Sequence, residues 1–441
     1  MKKIWIFILV LIIAAGGFVW FSPIFERIPP EIKVNSNGFT NLKNPIKISI
    51  NDNRGIKYYS VTALINGNAK VLVKKSGNFG KSISLDVKLP QIASKKIKLI
   101  IDAVDTSEWN WFAGNEAKKE VTLKVDTIAP DAEIVNNSYA IGNGGSAAVV
   151  VKVADANLKA AYILVDNKYK FKLTPFYKKN YYVALIAWPV KEKTFEANLV
   201  AIDYAGNKSI AHIPLYWRHY KYPDAKIIID DNYIKNKAIP ILQKMNVSVP
   251  NDPVSVFKKE NEYVRKLNNE EIYKLTSKIY EDKINSFSLA AFNPLPGSLL
   301  EAYFGERRHY FYKNKLISNS IHLGIDVAKI KRAKIYASNY GKVAAEKWIG
   351  IYGNTLIIYH NLGLYSLYAH TSEFDVPVGA SVRRGEVIAR TGNTGGAIGD
   401  HLHFGLYIQG IAVNPFEWMD RNWIRVNIIN IINSSKRLIG K

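Results

Sequence analysis

Four histidines and one aspartate in the last third of the chain are spaced in a way that suits metal chemistry. They are His322, Asp326, His370, His401 and His403. If the last two lie on a strand, their side chains project from the same face, because side chains two positions apart do so. The opposite face then carries an unbroken apolar row suited to a core, formed by Leu402, Phe404, Leu406 and Ile408.

These residue types predict metal-assisted amide hydrolysis. Neutral imidazole and carboxylate are the zinc ligands left to a chain without cysteine, and a catalytic zinc usually has three protein ligands and one position for water. His322, Asp326 and one histidine of the 401/403 pair would complete that set. The other histidine and His370 are then free for proton transfer. A bound metal lowers the pKa of its water to about 7, and a neighbouring histidine can take the proton or stabilise an oxyanion.

The motifs around these residues are ordered and specific. They are residues 320–326 (SIHLGID), 352–355 (YGNT), 367–370 (LYAH), 378–379 (VG), 384–388 (RGEVI), 391–395 (TGNTG), 399–404 (GDHLHF) and 413–415 (VNP). With them, residues from about 307 to 423, about a quarter of the chain, resemble the lysostaphin-like (LytM-type) zinc metallopeptidases. Members of that family cut peptide stems or bridges of bacterial peptidoglycan.

The resemblance implies a role for each candidate residue. His322, Asp326 and His403 would hold zinc, and His370 and His401 would be the catalytic histidines. It also implies a small, largely antiparallel β fold with an open groove over the metal. One departure is Gly405, where family members often have glutamate. That change leaves substrate contacts in doubt rather than metal binding.

The N-terminus predicts export. Residues 4–21 are an uncharged run of 18 residues after Lys2 and Lys3, at the lower limit for a helix crossing about 30 Å of hydrocarbon, and the lysines favour a cytoplasmic N-terminus. A cleaved signal would have a shorter apolar core, whereas here the run continues past the small residues 14–17. We therefore predict an uncleaved signal anchor (residues 1–29) in the inner membrane, with the bulk of the chain in the periplasm. Export after signal cleavage is the alternative.

The middle of the chain predicts two immunoglobulin-like β-sandwich modules in a mainly β protein. We place β module 1 at residues 30–128 and β module 2 at residues 129–220, because short alternating segments are separated by turn residues. An internal repeat supports this interpretation: a strand ending in Asp105 leads to Gly114-Asn115, and a second strand ending in Asp203 leads to Gly206-Asn207. The modules are interpreted as spacers, with binding of a protein partner as the alternative.

The remaining chain divides into three parts. Residues 221–290 are a linker with two short amphipathic helices, one beginning at Asp252-Pro253, and the helical spacing is interrupted near Asn268-Asn269. This helical segment would either set the reach from the membrane or cover the groove. Residues 291–423 are the peptidase domain, and residues 424–441 are a basic C-terminal extension.

Composition limits the function classes. An apolar fraction of 48% and a charged fraction of 22% exclude a disordered chain, and the absence of cysteine excludes disulfides and thiol catalysis. The net charge of +23 favours an anionic partner such as nucleic acid, lipid or a wall polymer, or it reflects a lysine-rich proteome. Export argues against nucleic acid.

The other four histidines are expected to be structural or exposed. They are His212, His219, His309 and His360. The charged run 306–309 is interpreted as solvated surface, with contact to substrate carboxylates as the alternative.

The leading hypothesis is a membrane-anchored zinc metalloendopeptidase that hydrolyses peptide cross-links of peptidoglycan. Its partners would be the peptide stems and the cytoplasmic membrane, which it contacts through one N-terminal helix. A catalytically silent LytM-type scaffold that activates another wall hydrolase is the alternative. An adhesin is a third hypothesis, but it would leave the predicted zinc site unexplained.

Overall fold

The computed structural model of the protein describes residues 2–440. The chain is mainly β, with an apolar N-terminal helix and few short helices, which confirms the predicted fold class. It divides into two units. The first runs to Pro130 and includes residues 155–160 and 202–208, and the second contains the remaining described residues.

The N-terminal helix is Lys2–Phe21, and none of its side chains is buried by the protein. Its 20 residues span about 30 Å at 1.5 Å per residue, so it is long and apolar enough to cross a membrane. A short 3₁₀ turn, Pro23–Phe25, follows it, and Ser22 caps that turn.

β module 1 consists of two sheets that share one buried core. One sheet has the order Glu31–Asn35, Ile46–Asn51, Ser82–Val87. The other has the order Phe39–Thr40, Glu116–Val125, Lys96–Asp105, Ile56–Ile65, Asn68–Ser76. Inward positions alternate with outward ones along Lys96–Asp105, and apolar side chains from both sheets, such as Ile48, Leu99 and Leu123, pack together.

Both copies of the internal repeat contain a buried aspartate–asparagine pair. Asp105 and Asp203 are both fully buried. Asp105 accepts hydrogen bonds from the backbone N–H (2.8 Å) and from Nδ2 (2.7 Å) of Asn115. Asp203 accepts the same two hydrogen bonds, at the same distances, from Asn207. Each asparagine Nδ2 also donates to a backbone carbonyl of the segment preceding a module. Asn115 binds the carbonyl of Glu26 and Asn207 that of Asp126, both at 2.9 Å.

β module 2 contains ten strands. They are Asp131–Asn137, Ala140–Gly142, Ser146–Ala154, Leu158–Val165, Tyr169–Lys172, Thr174–Pro175, Tyr181–Ala187, Ala197–Asp203, Lys208–His212 and Tyr216–Arg218. Eight of them form two four-stranded sheets, and Ala140–Gly142 pairs with Tyr216–Arg218. Ser146–Ala154 is almost entirely buried because both of its faces are covered.

The helical segment begins with a strand that sequence reasoning missed. Asp224–Ile228 pairs in parallel with Arg307–Tyr312 and joins this segment to the C-terminal domain. Two helical runs follow, each with a central π-helical turn. The first comprises Asp231–Tyr233, Ile234–Ala238 and Ile239–Lys244, and the second comprises Pro253–Lys258, Lys259–Val264 and Arg265–Thr276.

The predicted start of the second helical run is confirmed, whereas the predicted interruption is wrong. Asp252 caps the run by accepting a hydrogen bond from the backbone N–H of Ser255 at 2.9 Å. The helix continues through Asn268 and Asn269. Asn268 is buried, and its side chain accepts a hydrogen bond of 2.9 Å from the backbone N–H of Ile351. A polar residue on this face therefore docks the helix rather than ending it.

The C-terminal domain is built on antiparallel sheets. The largest has the order Leu299–Ala302, Ile325–Ala328, Leu402–Ile408, Leu364–Ala369, Gly353–Tyr359, Gly341–Ile349, Ser381–Val382, with Ile411–Val413 paired to Leu402–Ile408. Arg307–Tyr312 pairs with Lys315–Ile321, and Val387–Arg390 lies between Lys334–Tyr336 and Glu373–Phe374. A 3₁₀ turn, Gly350–Tyr352, precedes Gly353–Tyr359.

The C-terminal extension is helical and packs on β module 2. Its elements, with the helix before it, are Pro415–Met419, Arg421–Ile424, the π-helical turn Arg425–Ile429 and Asn430–Gly440. Ser138 Oγ donates to the carbonyl of Asn427 at 2.7 Å, and Ile428, Ile432 and Ile439 are buried. These contacts hold module 2 and the C-terminal domain together within the second unit.

Glu417 lies buried at this junction, where it accepts a hydrogen bond of 3.0 Å from the backbone N–H of Ser146. Burial raises the pKa of Glu417 to about 7. Because the pKa is higher in the folded state, the free energy of unfolding falls as pH rises from about 4.5 to 7, by roughly 3 kcal/mol. We therefore expect Glu417→Gln to gain stability relative to the natural protein between pH 5 and pH 8. Thermal unfolding at both pH values checks this.

The matched control for this prediction is Glu133→Gln, which makes the same change at a side chain of β module 2 that is 57% exposed. Its difference from the natural protein should stay small at both pH values. A Glu417→Gln effect that did not change with pH would contradict the prediction.

Candidate metal centre

Three side chains converge on one point between two paired strands. Asp326 on Ile325–Ala328 lies directly opposite His403 on Leu402–Ile408, and His322 lies at the turn between Lys315–Ile321 and Ile325–Ala328. His322 Nε2 and His403 Nδ1 are 2.9 Å apart. Asp326 Oδ1 is 3.0 Å from the first atom and 2.9 Å from the second. The structure therefore brings the three predicted ligands together.

This donor set fits a zinc ion. Two imidazole nitrogens and one carboxylate oxygen form a triangle with sides of 2.9–3.0 Å. Ligands of a tetrahedral zinc, each about 2.0–2.1 Å from the metal, lie about 3.3 Å apart, so a small outward movement admits the ion. All three side chains are buried, and a cation between them would balance the buried carboxylate.

Neighbouring groups fix the orientation of two ligands. His322 Nδ1 lies 2.9 Å from the carbonyl of Tyr303, which holds the proton on Nδ1 and leaves the lone pair of Nε2 facing the centre. Arg308 donates to Asp326 Oδ2 at 2.8 Å and to Glu306 at 2.9 Å. This chain of contacts fixes the carboxylate so that Oδ1 remains directed at the two histidines.

The charged run 306–309 is therefore only partly solvated surface, contrary to expectation. The side chain of Arg308 is 19% exposed and that of Glu306 is 10% exposed. The strand Arg307–Tyr312 explains this, because Arg308 shares its inner face with Tyr310 and Tyr312. His309, with its side chain 39% exposed, contacts Asp224 and Asn319 instead of the centre.

Burial and neighbouring charges control the protonation of the ligands. Burial favours a higher pKa for Asp326, but His322 and His403 overcome it and hold the pKa well below its usual range. Burial lowers the pKa of His403 to about 4, although Asp326 opposes this. The carboxylate is therefore ionised and His403 neutral at neutral pH, which are the forms that bind a metal.

His370 and His401 lie beside the three ligands. Their ring centroids are 4.8 Å apart, and His401 Nε2 is 3.8 Å from Asp326 Oδ1. His370 Nδ1 is bound to the carbonyl of Thr394 and His401 Nδ1 to that of Gly399, both at 2.9 Å. With the protons held on Nδ1, both Nε2 atoms carry a lone pair that can accept a proton and release it later, and neither has a hydrogen-bond partner within the described chain. Burial, then the proximity of His401 and His403, lowers the pKa of His370.

His360 has a structural role. It is buried, and its two ring nitrogens contact the carbonyl of Tyr340 and Ser366 Oγ, both at 2.7 Å. Burial lowers its pKa to about 4. His212 and His219 lie in β module 2, outside the centre.

The five residues line a cavity of about 590 Å³ that the helical segment helps to form. Tyr233, Phe257, Glu260 and Arg265 line the same cavity as the metal-centre residues. The Tyr233 hydroxyl donates to Glu260 at 3.2 Å, and burial raises the pKa of Glu260 to about 7. The segment is held in place by buried contacts of Asn268 and by a 2.9 Å hydrogen bond between Tyr352 and Asn269.

The part of the chain that contains these five residues is similar to known proteins. The family model described as "Peptidase family M23" matches residues 320–415. DD-carboxypeptidase/endopeptidase Mpg of Neisseria meningitidis is 38% identical over 122 residues, which are 28% of this chain and 27% of that protein. Murein hydrolase activator EnvC of Escherichia coli is 34% identical over 98 residues, 22% of this chain and 23% of that protein. This chain thus spans about a quarter of the length of the curated relatives that it matches.

Among solved structures, a putative peptidase M23 from Pseudomonas aeruginosa is similar over 63% of this chain and 94% of that chain, with 19% identity and a TM-score of 0.40. The C-terminal part of the chain is a LytM-type domain of peptidase family M23.

Gly324 leaves room for His403. A Cβ at position 324 would lie 2.7 Å from His403 Nε2 and 2.6 Å from the carbonyl oxygen of Phe404. We expect Gly324→Ala to displace the imidazole and to lower zinc affinity about tenfold or more, as loss of a ligand's support does. Competition with a chromogenic chelator measures this. Gly399→Ala is the control, because a Cβ there meets no atom within 4 Å; equal affinity of the two variants would refute the prediction.

Arg308 supports Asp326 and should also affect zinc affinity. Arg308→Gln removes the guanidinium that holds Oδ2, so we expect zinc affinity to fall about 10–100-fold. Arg307→Gln makes the same change at the exposed neighbour and should leave affinity unchanged. The same chelator titration compares the two, and a similar loss in both would show that general charge is the cause.

Proposed function

We propose that this protein is a membrane-anchored zinc metalloendopeptidase that hydrolyses peptide cross-links of bacterial peptidoglycan. The observation that carries the proposal is the complete centre: three converging donor atoms, with His370 and His401 fixed beside them through their Nδ1 atoms. A scaffold that only binds another protein has no evident need for three metal-binding side chains and two further histidines beside them.

His322, Asp326 and His403 would hold the zinc, which when bound supplies Lewis-acid activation of water and of the scissile carbonyl. The chain's own residues then manage protons and charge. His370, kept neutral by burial, is suited to accept the proton of the attacking water, and it shares proton transfer and oxyanion stabilisation with His401. Arg308 holds Asp326 Oδ2 and so keeps Oδ1 directed at the two histidines.

The cavity suits a peptide stem. Arg265 lines it, and its guanidinium makes no ion pair with a carboxylate within residues 2–440. Peptide stems carry free carboxylates, so a cation in the cavity wall complements them. The relative named as a DD-carboxypeptidase/endopeptidase supports a peptide bond as the target, and we favour the direct cross-link of peptidoglycan.

The protein would act outside the cytoplasmic membrane. The apolar helix Lys2–Phe21 supports a single-pass inner-membrane anchor with the remaining chain in the periplasm, and a signal sequence passes the same test of length and composition. The helical segment is proposed as a fixed wall of the cavity rather than a removable cover, because Asn268 and Asn269 attach it to the domain.

The decisive experiment is digestion of purified peptidoglycan by the full chain in detergent. Zinc-loaded protein should release monomeric stems from cross-linked dimers, identified by mass spectrometry, without prior removal of the helical segment. Chelation and His401→Ala should each abolish release. His212→Ala, a histidine change at an exposed position of β module 2, should retain it.

The scaffold alternative is kept because one relative is a murein hydrolase activator. It would be favoured if the zinc-loaded chain bound peptidoglycan without turnover and if His322→Ala supported full function in cells. If the full chain were inactive and limited proteolysis of the helical segment switched it on, that segment would be a cover.

A further inference from the structure

A loop of β module 1 presents aromatic side chains that the protein does not cover. It connects Lys96–Asp105 to Glu116–Val125. Trp111 at its tip is 94% exposed, and Phe112 is 67% exposed. Asn110, Trp111 and Phe112 all have φ between 54° and 67°, in the left-handed region that bulky residues rarely adopt. The loop thus has an unfavourable backbone conformation, and its two large apolar rings point away from the core of the module.

These rings are continuous with the end of the N-terminal helix. The ring of Phe25 lies 6.2 Å from that of Phe18 in the helix and 6.5 Å from that of Phe112 in the loop. Arg27 lies between two indoles, 3.6 Å from the ring centroid of Trp20 and 4.1 Å from that of Trp109. Aromatic contacts therefore run without a break from the last turn of the helix to the loop.

Hydrogen bonds fix the loop at the level of the helix end. The N–H of Glu108 donates to the carbonyl of Ile24 at 2.9 Å. Ser107 Oγ and Asn115 Nδ2 both donate to the carbonyl of Glu26, at 2.6 and 2.9 Å. These bonds attach both ends of the loop to the segment that directly follows the helix, so the tip lies close to the helix end.

We propose that this loop, residues 107–114, is a second membrane contact whose tip, Trp111 and Phe112, inserts into the interfacial layer of the bilayer crossed by the N-terminal helix. The inference rests on the proposed anchor. Tryptophan and other aromatic side chains prefer this layer, where an apolar ring and a polar edge are both solvated. Lys57, which donates to the carbonyl of Phe112 at 3.1 Å, and Arg54, which donates to that of Pro23 at 3.0 Å, add positive charge for anionic headgroups.

The absence of cysteine makes a site-specific test direct. In the full chain, Asn110→Cys carries a spin label beside the intact aromatic tip. Ile128→Cys is the control, since Ile128 is an apolar residue that is 76% exposed. It follows the far end of Glu116–Val125, a strand of about 33 Å. Each chain is reconstituted into vesicles containing anionic lipid, and collisions of the label with oxygen and with a water-soluble nickel chelate are measured.

We expect the label at position 110 to be severalfold less accessible to the nickel chelate than the label at 128, and accessible to oxygen. Adding Trp111→Ser and Phe112→Ser should restore accessibility to the chelate. If the chain does not float with the vesicles, the anchor is refuted and the loop contact with it.

Two further outcomes would overturn the loop contact while the anchor stands. In the first, the chain floats but positions 110 and 128 are equally accessible to the chelate, so the tip lies in water. In the second, the label at 110 is shielded from oxygen as well as from the chelate, which means that a protein surface covers the tip.

Discussion

The antiparallel pairing of Ile325–Ala328 with Leu402–Ile408 is the constraint on which the candidate metal centre depends. It places Asp326 opposite His403, and on the other side of the same strand Ala369, which precedes His370, also pairs with His403. A shift of one residue would direct Leu402 into the centre and His403 into the core. The fully buried Leu402 and Phe404 oppose that shift, because they would lose their place in the core.

Residues outside the segment matched by the family model orient the side chains of the candidate centre and line its cavity. The matched segment, residues 320–415, supplies all five histidine and aspartate side chains of the centre. Tyr303 and Arg308, which orient two of the ligands, precede it, and the helices that wall the cavity lie further upstream. The parallel strand Asp224–Ile228 holds this upstream chain against Arg307–Tyr312. The cavity and the contacts that orient its side chains thus involve more of the chain than the segment that the family model matches.

The sequence predicted the mainly β fold and the apolar N-terminal helix, and it singled out the five side chains that the structure brings together, because each has a local signal: alternation, an apolar run or a motif. It failed where the cause is not local. Asn268 interrupts an apolar pattern, yet its partner is a backbone N–H more than eighty residues away. Arg308 stands in a charged run that is typical of surfaces, and only its alternation with Tyr310 and Tyr312 indicated an inner face. The parallel pairing of Asp224–Ile228 joins distant segments and has no signature in either one.

The aspartate–asparagine pairs have a mechanical consequence. Asn115 Nδ2 donates to the carbonyl of Glu26 as Asn207 Nδ2 donates to that of Asp126, so the segment after the apolar helix is bound to β module 1 in the way that the linker at Asp126 is bound to β module 2. A helix of about 30 Å tilts when the hydrocarbon layer is thinner than its own length. In the proposed anchor, the hydrogen bonds at Ile24 and Glu26 hold β module 1 to the segment that follows the helix, so a tilt of the helix would also tilt β module 1. The thickness of the bilayer would then affect the angle that β module 1 makes with the lipid surface.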